Sequence, residues 1–351
     1  MSERPPFRPR PLWELTRTRV LAFVREPEAV FWTFGFPVLL ALALGIAFRQ
    51  QGPPKSTVGI ERGATAAQFV AWLGSSPDLE IVSLRADSAR TALRRGRIAV
   101  LVRADSLGRP VLIYDPMRPE TRLAQLTVYD ALERAAGRHD PLQVRTDTVV
   151  RPGSRYIDFL IPGLIGLNLL GTGFWGIGFP VATARQQKLL RRLAATPMRR
   201  RDYLISLMLN RVAWLIPEII AILGFGAVAF GVAVRGSWAA FALVILLGAV
   251  AFSALGLLVA SRAKTIEAVS GLMNLAMVPM WVLSGSFFSS ARFPQVMQPY
   301  VRSLPLTAVN DALRAIMNEG AGFSGVAGEL GVLAAWTVAS FALALRLFRW
   351  E

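Results

Sequence analysis

Cysteine is absent from the chain, histidine occurs once, at His139, and all but three of the 39 basic residues are arginine. Without cysteine there is no disulfide, no thiolate metal site and no thiol nucleophile. A single histidine in a polar stretch reads as a surface residue, and it removes histidine-based metal or triad chemistry. The three lysines, Lys55, Lys188 and Lys264, follow Pro54, Gln187 and Ala263. No G-x-x-x-x-G-K-[ST] phosphate loop exists, so the chain is not itself a P-loop ATPase. H-E-x-x-H, G-x-S-x-G and paired-carboxylate patterns are missing too, and the sequence presents no catalytic residue. Charged residues of either sign make up only 18% of the chain, against 53% hydrophobic, a balance that belongs to the membrane class.

What is present in quantity is long apolar runs. Crossing a bilayer core of about 30 Å takes about 20 mainly apolar residues in a helix. Six runs reach that length, near 29–48, 157–182, 207–233, 238–261, 266–288 and 326–348. The formal charge of +16 sits beside these runs without interleaved stacking aromatics, which reads against a nucleic-acid partner. Short basic loops stay on the cytoplasmic side. Residues 185–202 carry seven basic groups against one acid, and the N-terminal tail, Arg262 with Lys264, and Arg346 with Arg349 agree with it. The sequence therefore predicts a multi-pass protein of the cytoplasmic (inner) membrane with both termini in the cytoplasm. Ala41-Leu42-Ala43 resembles a signal-cleavage site, but a lead-in of 28 residues is long for a signal, and the run is read as a retained first span.

Residues 49–155 carry a different pattern. Thr57–Ile60, Ile98–Val102 and Pro110–Tyr114 read as strands, with helices at 64–73, 87–95 and 119–136. We read the chain as an all-α polytopic membrane protein of six transmembrane helices, with a small extracytoplasmic α/β domain at 49–155 between spans one and two. Residues 1–28 form a cytoplasmic tail, 29–48 the first span and 156–351 a five-helix region. Within the tail, Leu12, Trp13, Thr16, Val20, Phe23 and Val24 share about a third of the helical wheel, opposite arginines, which suits a helix lying in the headgroup layer.

Residues 186–197 hold an apolar stripe, Leu189, Leu190 and Leu193, flanked by Lys188, Arg191 and Arg192 and ended by Pro197. Two readings stand: the leucines dock in a soluble partner, or the stub only snorkels its arginines to lipid phosphate. Inside the spans Glu218, Asn168 and Asn274 are the intramembrane polar residues, either substrate or gate contacts or hydrogen bonds between helices. Gly166, Gly171, Gly173, Gly176 and Gly178 give the second span small faces for close packing.

The run Leu189 to Arg200, the stretch Tyr156-Ile157-Asp158-Phe159-Leu160-Ile161-Pro162-Gly163, and the segments Ser284 to Phe288, Leu304 to Thr307 and Asp311 to Arg314 resemble, in that topology, type-2 ABC exporter permeases. The resemblance implies a permease subunit paired with itself or with a sister subunit, embedded among membrane lipids, and two ABC ATP-binding subunits below. ATP and magnesium would belong to those partners, with no cofactor on this chain. It further implies that 186–197 is the coupling helix contacting the ATPase, that 11–26 is a connecting helix, and that 287–318 is re-entrant. An amphiphilic, lipid-like, drug-like or glycan substrate would move outward. The family often carries an acid before the coupling helix, and Ala184-Arg185-Gln186-Gln187 has none. The alternative from another class is a signalling or scaffold protein with a ligand-sensing extracytoplasmic domain.

Overall fold

Helices long and apolar enough to span a bilayer number six among the described residues. The structure is a computed structural model, and it describes residues 13, 17–18, 20–21, 23–48, 55–138, 153, 155–189, 200–261, 263 and 265–347. The chain divides into two compact units, residues 50–149 and the remainder.

In the larger unit the first span, α1 (Pro27–Ala47), is interrupted at Phe31–Gly35 by a π-turn, where the Phe36 N–H bonds to the Phe31 carbonyl five residues back. Such turns shift the helix register and recur at functional sites.

The smaller unit follows α1 in the chain. It runs β1 (Ser56–Glu61), α2 (Ala66–Leu73), β2 (Leu79–Leu84), α3 (Ala86–Arg94), β3 (Val100–Ala104), β4 (Pro110–Tyr114) and α4 (Pro119–Ala135). The sheet order is β2-β1-β3-β4, with β1 parallel to β2 and β3, and β4 antiparallel at the edge. Side chains alternate across a strand. Val58, Ile60, Val100 and Val102 therefore meet Phe69 and Leu73 of α2 and Val128 of α4 on one face. Leu101 meets Ala89 of α3 on the other. Strand β2 is absent from the sequence reading, because its apolar residues are interrupted by Glu80 and Ser83, which keeps the run short of a clear signal.

The chain re-enters the larger unit at α5 (Tyr156–Gln186), followed by α6 (Arg200–Phe230), α7 (Trp238–Ala260) and α8 (Ile266–Leu283). The short α9 (Gln298–Ser303) and α10 (Pro305–Glu319) precede the last helix, α11 (Ala327–Leu347). Burial ranks these helices: 78% of the most apolar stretch of α5 and 61% of that of α7 lie inside, against 17–22% for the other four candidate spans. The two central helices cross on glycine. A Cβ at Gly256 would stand 2.9 Å from the Gly173 carbonyl, and one at Gly173 would meet the Phe252 side chain and backbone. Small residues let helix backbones approach closely where lipid supplies no hydrophobic drive.

Polar pins close the ends of the bundle. Arg155, just before α5, pairs with Asp158 at 2.7 Å and donates to the Phe230 carbonyl at the end of α6. Arg185, where the resemblance leads one to expect an acid, donates instead to the carbonyls of Ala260, Ser261 and Ala263 and so closes the C-terminal end of α7. A guanidinium suits a helix C-terminus, where carbonyls lack partners and the dipole is negative. Helix α10 is held by Arg314, which donates to the Gly285 carbonyl and stacks 3.6 Å over the Phe159 ring. Asn310 adds a bond to the Ser286 hydroxyl. Asn310 also donates to the Ser284 carbonyl, so side chains of α10 satisfy the non-helical carbonyls of Ser284 and Gly285.

Candidate functional site

A groove of about 1210 Å³ opens between α1, α5, α6 and α8. Its walls are largely apolar and aromatic, with Phe36 and Leu40 from α1, Leu164, Trp175 and Phe179 from α5, and Trp281 from α8. Gly171 and Gly176 also line it, and a Cβ at either would meet nothing. The glycines of the second span thus divide. Gly166, Gly173 and Gly178 pack against neighbouring helices, whereas Gly171 and Gly176 widen the groove.

Across the deepest part runs a chain of polar side chains. The π-turn of α1 presents the Thr33 carbonyl, which accepts from Asn168 Nδ2 at 2.9 Å. One turn along α5, the Thr172 hydroxyl donates to the Asn168 carbonyl at 2.7 Å and lies 3.4 Å from Glu218 Oε2. Glu218 follows Pro217, which supplies no N–H to the helix. Both its oxygens accept from Arg211 Nη1, each at 2.9 Å. The pair is enclosed, with Arg211 5% exposed and Glu218 2%. Two unit charges so far from water persist only because they are paired.

Arg211, Trp214 and Glu218 lie at i, i+3 and i+7 on α6, one face of a 3.6-residue helix. The Trp214 ring packs at 4.5 Å from Phe23 and 6.0 Å from Phe34, closing the end of the groove nearest the N-terminal segment. Several buried polar atoms here have no hydrogen-bond partner among the described residues: Nε and Nη2 of Arg211, Nε1 of Trp214, and the side-chain oxygens of Asn168 and Asn210.

Of the intramembrane residues singled out by sequence, the fold brings Asn168 and Glu218 together at this groove. Asn274 lies on the exposed side of α8 and takes no part in it. Arg211, Thr172 and Trp214 are the members that sequence reading missed. Arg211 sits near the start of its apolar run, where an arginine reads as an interfacial residue, yet its side chain reaches two turns along the helix to Glu218. Leu189 is exposed beyond the end of α5, after Lys188 at φ 56°. Leu190, Arg191, Arg192, Leu193 and Pro197 lie outside the described residues, as do His139 and much of the N-terminal helix at 11–26.

Residues 28–346 match the ABC-2 family transporter protein model. Curated relatives include the inner membrane transport permease YhhJ of Escherichia coli (strain K12) and its namesake in Shigella flexneri, each 30% identical over 119 residues. That match takes in 34% of this chain and 32% of each relative, so the chain spans about a third of the length of the curated relatives it matches. With six apolar helices among the described residues and a match over nearly its whole length, the chain belongs to the ABC-2 family of transporter proteins.

Proposed function

We propose that this permease is the membrane subunit of an ATP-driven exporter that moves an amphiphilic substrate outward along the groove between α1, α5, α6 and α8. The observation that carries the reading is the groove itself, with largely apolar and aromatic walls and a buried Arg211–Glu218 pair at its floor. Ionisable groups at membrane depth are costly and mark substrate or ion pathways. Pockets with apolar walls and a few convergent polar groups are the usual form of a small-molecule site.

In this reading two ATP-binding subunits carry ATP and magnesium and engage the chain through the coupling helix 186–197. Two permease subunits, identical or sister chains, share the membrane. Both termini face the cytoplasm, residues 49–155 lie outside, residues 11–26 lie along the inner surface, and 287–318 enters and leaves the outer leaflet. The basic short loops support this orientation.

Two measurements test it. The purified chain alone should hydrolyse no ATP, and turnover that survives removal of contaminating ATPases would place a nucleotide site on it. Co-reconstituted with its ATPase in inside-out vesicles, it should accumulate a labelled amphiphile in the lumen only when ATP is supplied. Accumulation independent of ATP would overturn the exporter reading.

A further inference from the structure

We propose that the floor of the groove is a binding site for an oxyanion headgroup, a phosphate or carboxylate carried on an amphiphile, read by Arg211 and Trp214. The inference rests on taking the groove as the substrate path and names the chemistry recognised there. Glu218 occupies only one corner of the guanidinium, Nη1. The opposite edge, Nε and Nη2, is buried and has no partner among the described residues, and neither has Nε1 of Trp214, one turn further on the same face. Three N–H donor groups thus share one enclosed face of α6 with no acceptor assigned to them. The Nε–Nη2 edge of arginine is a planar fork that matches two oxygens on one phosphorus or carbon. An uncharged tail would lie along the aromatic walls, Phe36 and Trp281 among them.

Charge sets a second expectation. The Arg211–Glu218 pair is neutral as a unit, so an acidic head binds beside a carboxylate that repels it. Removing that carboxylate's charge should tighten binding, an effect that a merely structural ion pair would not produce.

The test uses the purified full-length chain in uncharged detergent at about 1 M salt, where the Debye length of about 3 Å screens the surface arginines. Phosphatidic acid, diacylglycerol with the same acyl chains, and inorganic phosphate are titrated in, and the shift in thermal unfolding gives an apparent affinity for each. Phosphatidic acid should bind about tenfold or more tightly than diacylglycerol, the equivalent of one charge-assisted hydrogen bond. Inorganic phosphate should neither stabilise the chain nor compete. Arg211→Lys, which keeps the charge and loses the fork, should abolish the selectivity. Trp214→Phe should reduce it several-fold, and Glu218→Gln should enlarge the phosphatidic acid shift. Equal affinity for the two lipids would overturn the proposal, as would full selectivity in both Arg211→Lys and Trp214→Phe, and competition by inorganic phosphate would assign the site to a free anion. Should Arg211→Lys fail to fold, the wild-type selectivity and Trp214→Phe still decide. Because binding is read on the lone chain, this test can fail while ATP-driven transport stands, or succeed while transport fails.

Discussion

Glycine in an apolar helix serves two ends, and α5 separates them residue by residue. Gly173 is in contact with Phe252 and the backbone of Ser253, whereas Gly171, two positions earlier, borders open space in the groove. Gly173→Ala should therefore overpack the α5–α7 crossing and destabilise the detergent-solubilised protein by about 1–3 kcal/mol. Gly171→Ala should be neutral or raise stability by up to about 1 kcal/mol, because alanine favours the helix. Thermal unfolding of the two variants side by side checks this, and equal losses would count against the division. The Arg211–Glu218 pair calls for a different comparison. Arg211→Ala strands a buried carboxylate and should cost about 3–5 kcal/mol, while replacing both partners, Arg211→Met with Glu218→Leu, should be neutral or even stabilising by about 1–4 kcal/mol. Transport should nevertheless fail in the double variant. A double variant that moved substrate at the wild-type rate would reduce the pair to packing.

Among the elements, the segment at 186–197 bears the coupling proposal. Burying Leu190 and Leu193 against an ATPase subunit is worth about 1.5–3 kcal/mol for each side chain, enough to seat a short helix. Exposed ion pairs from Arg191 or Arg192 are worth about 0–1 kcal/mol and weaken with salt. Leu190→Asp with Leu193→Asp should thus abolish transport-coupled stimulation of the partner ATPase while the chain still inserts, and Arg191→Ala should do much less. Normal stimulation in the double aspartate variant would leave only lipid snorkelling for this segment. Just before it, Arg185 ties the end of α5 to the carbonyls at the end of α7. The two central helices are therefore joined both at their glycine crossing and at this end, which favours their moving as one body when force enters nearby.

On the scale of the whole molecule, the cysteine-free sequence makes the proposed sidedness directly testable. A single cysteine at exposed Ser75 should label with an impermeant maleimide on intact cells, and one at exposed Gln187 should not. Labelling at Gln187 without labelling at Ser75 would invert the topology. Within the smaller unit the sheet carries helices on both faces and has an apolar core around Phe69 and Leu73.

The sequence by itself marked the six candidate spans, because a bilayer demands about 20 apolar residues per helix and that demand is local. It also marked strands at Thr57–Ile60, Ile98–Val102 and Pro110–Tyr114, which the structure forms at Ser56–Glu61, Val100–Ala104 and Pro110–Tyr114. It identified the family through short stretches in the right order. It did not separate Asn168 from Asn274, since each is one asparagine in an apolar run and neither carries a mark of the side its helix turns inward. Only the tertiary structure decided that, by burying α5 at the centre of the bundle and leaving Asn274 on an exposed face of α8. The same holds for Arg211 and Trp214. Hydropathy measures transfer of a residue to lipid, whereas their role depends on which groups other helices bring within hydrogen-bonding reach, and that is a property of the packed fold alone.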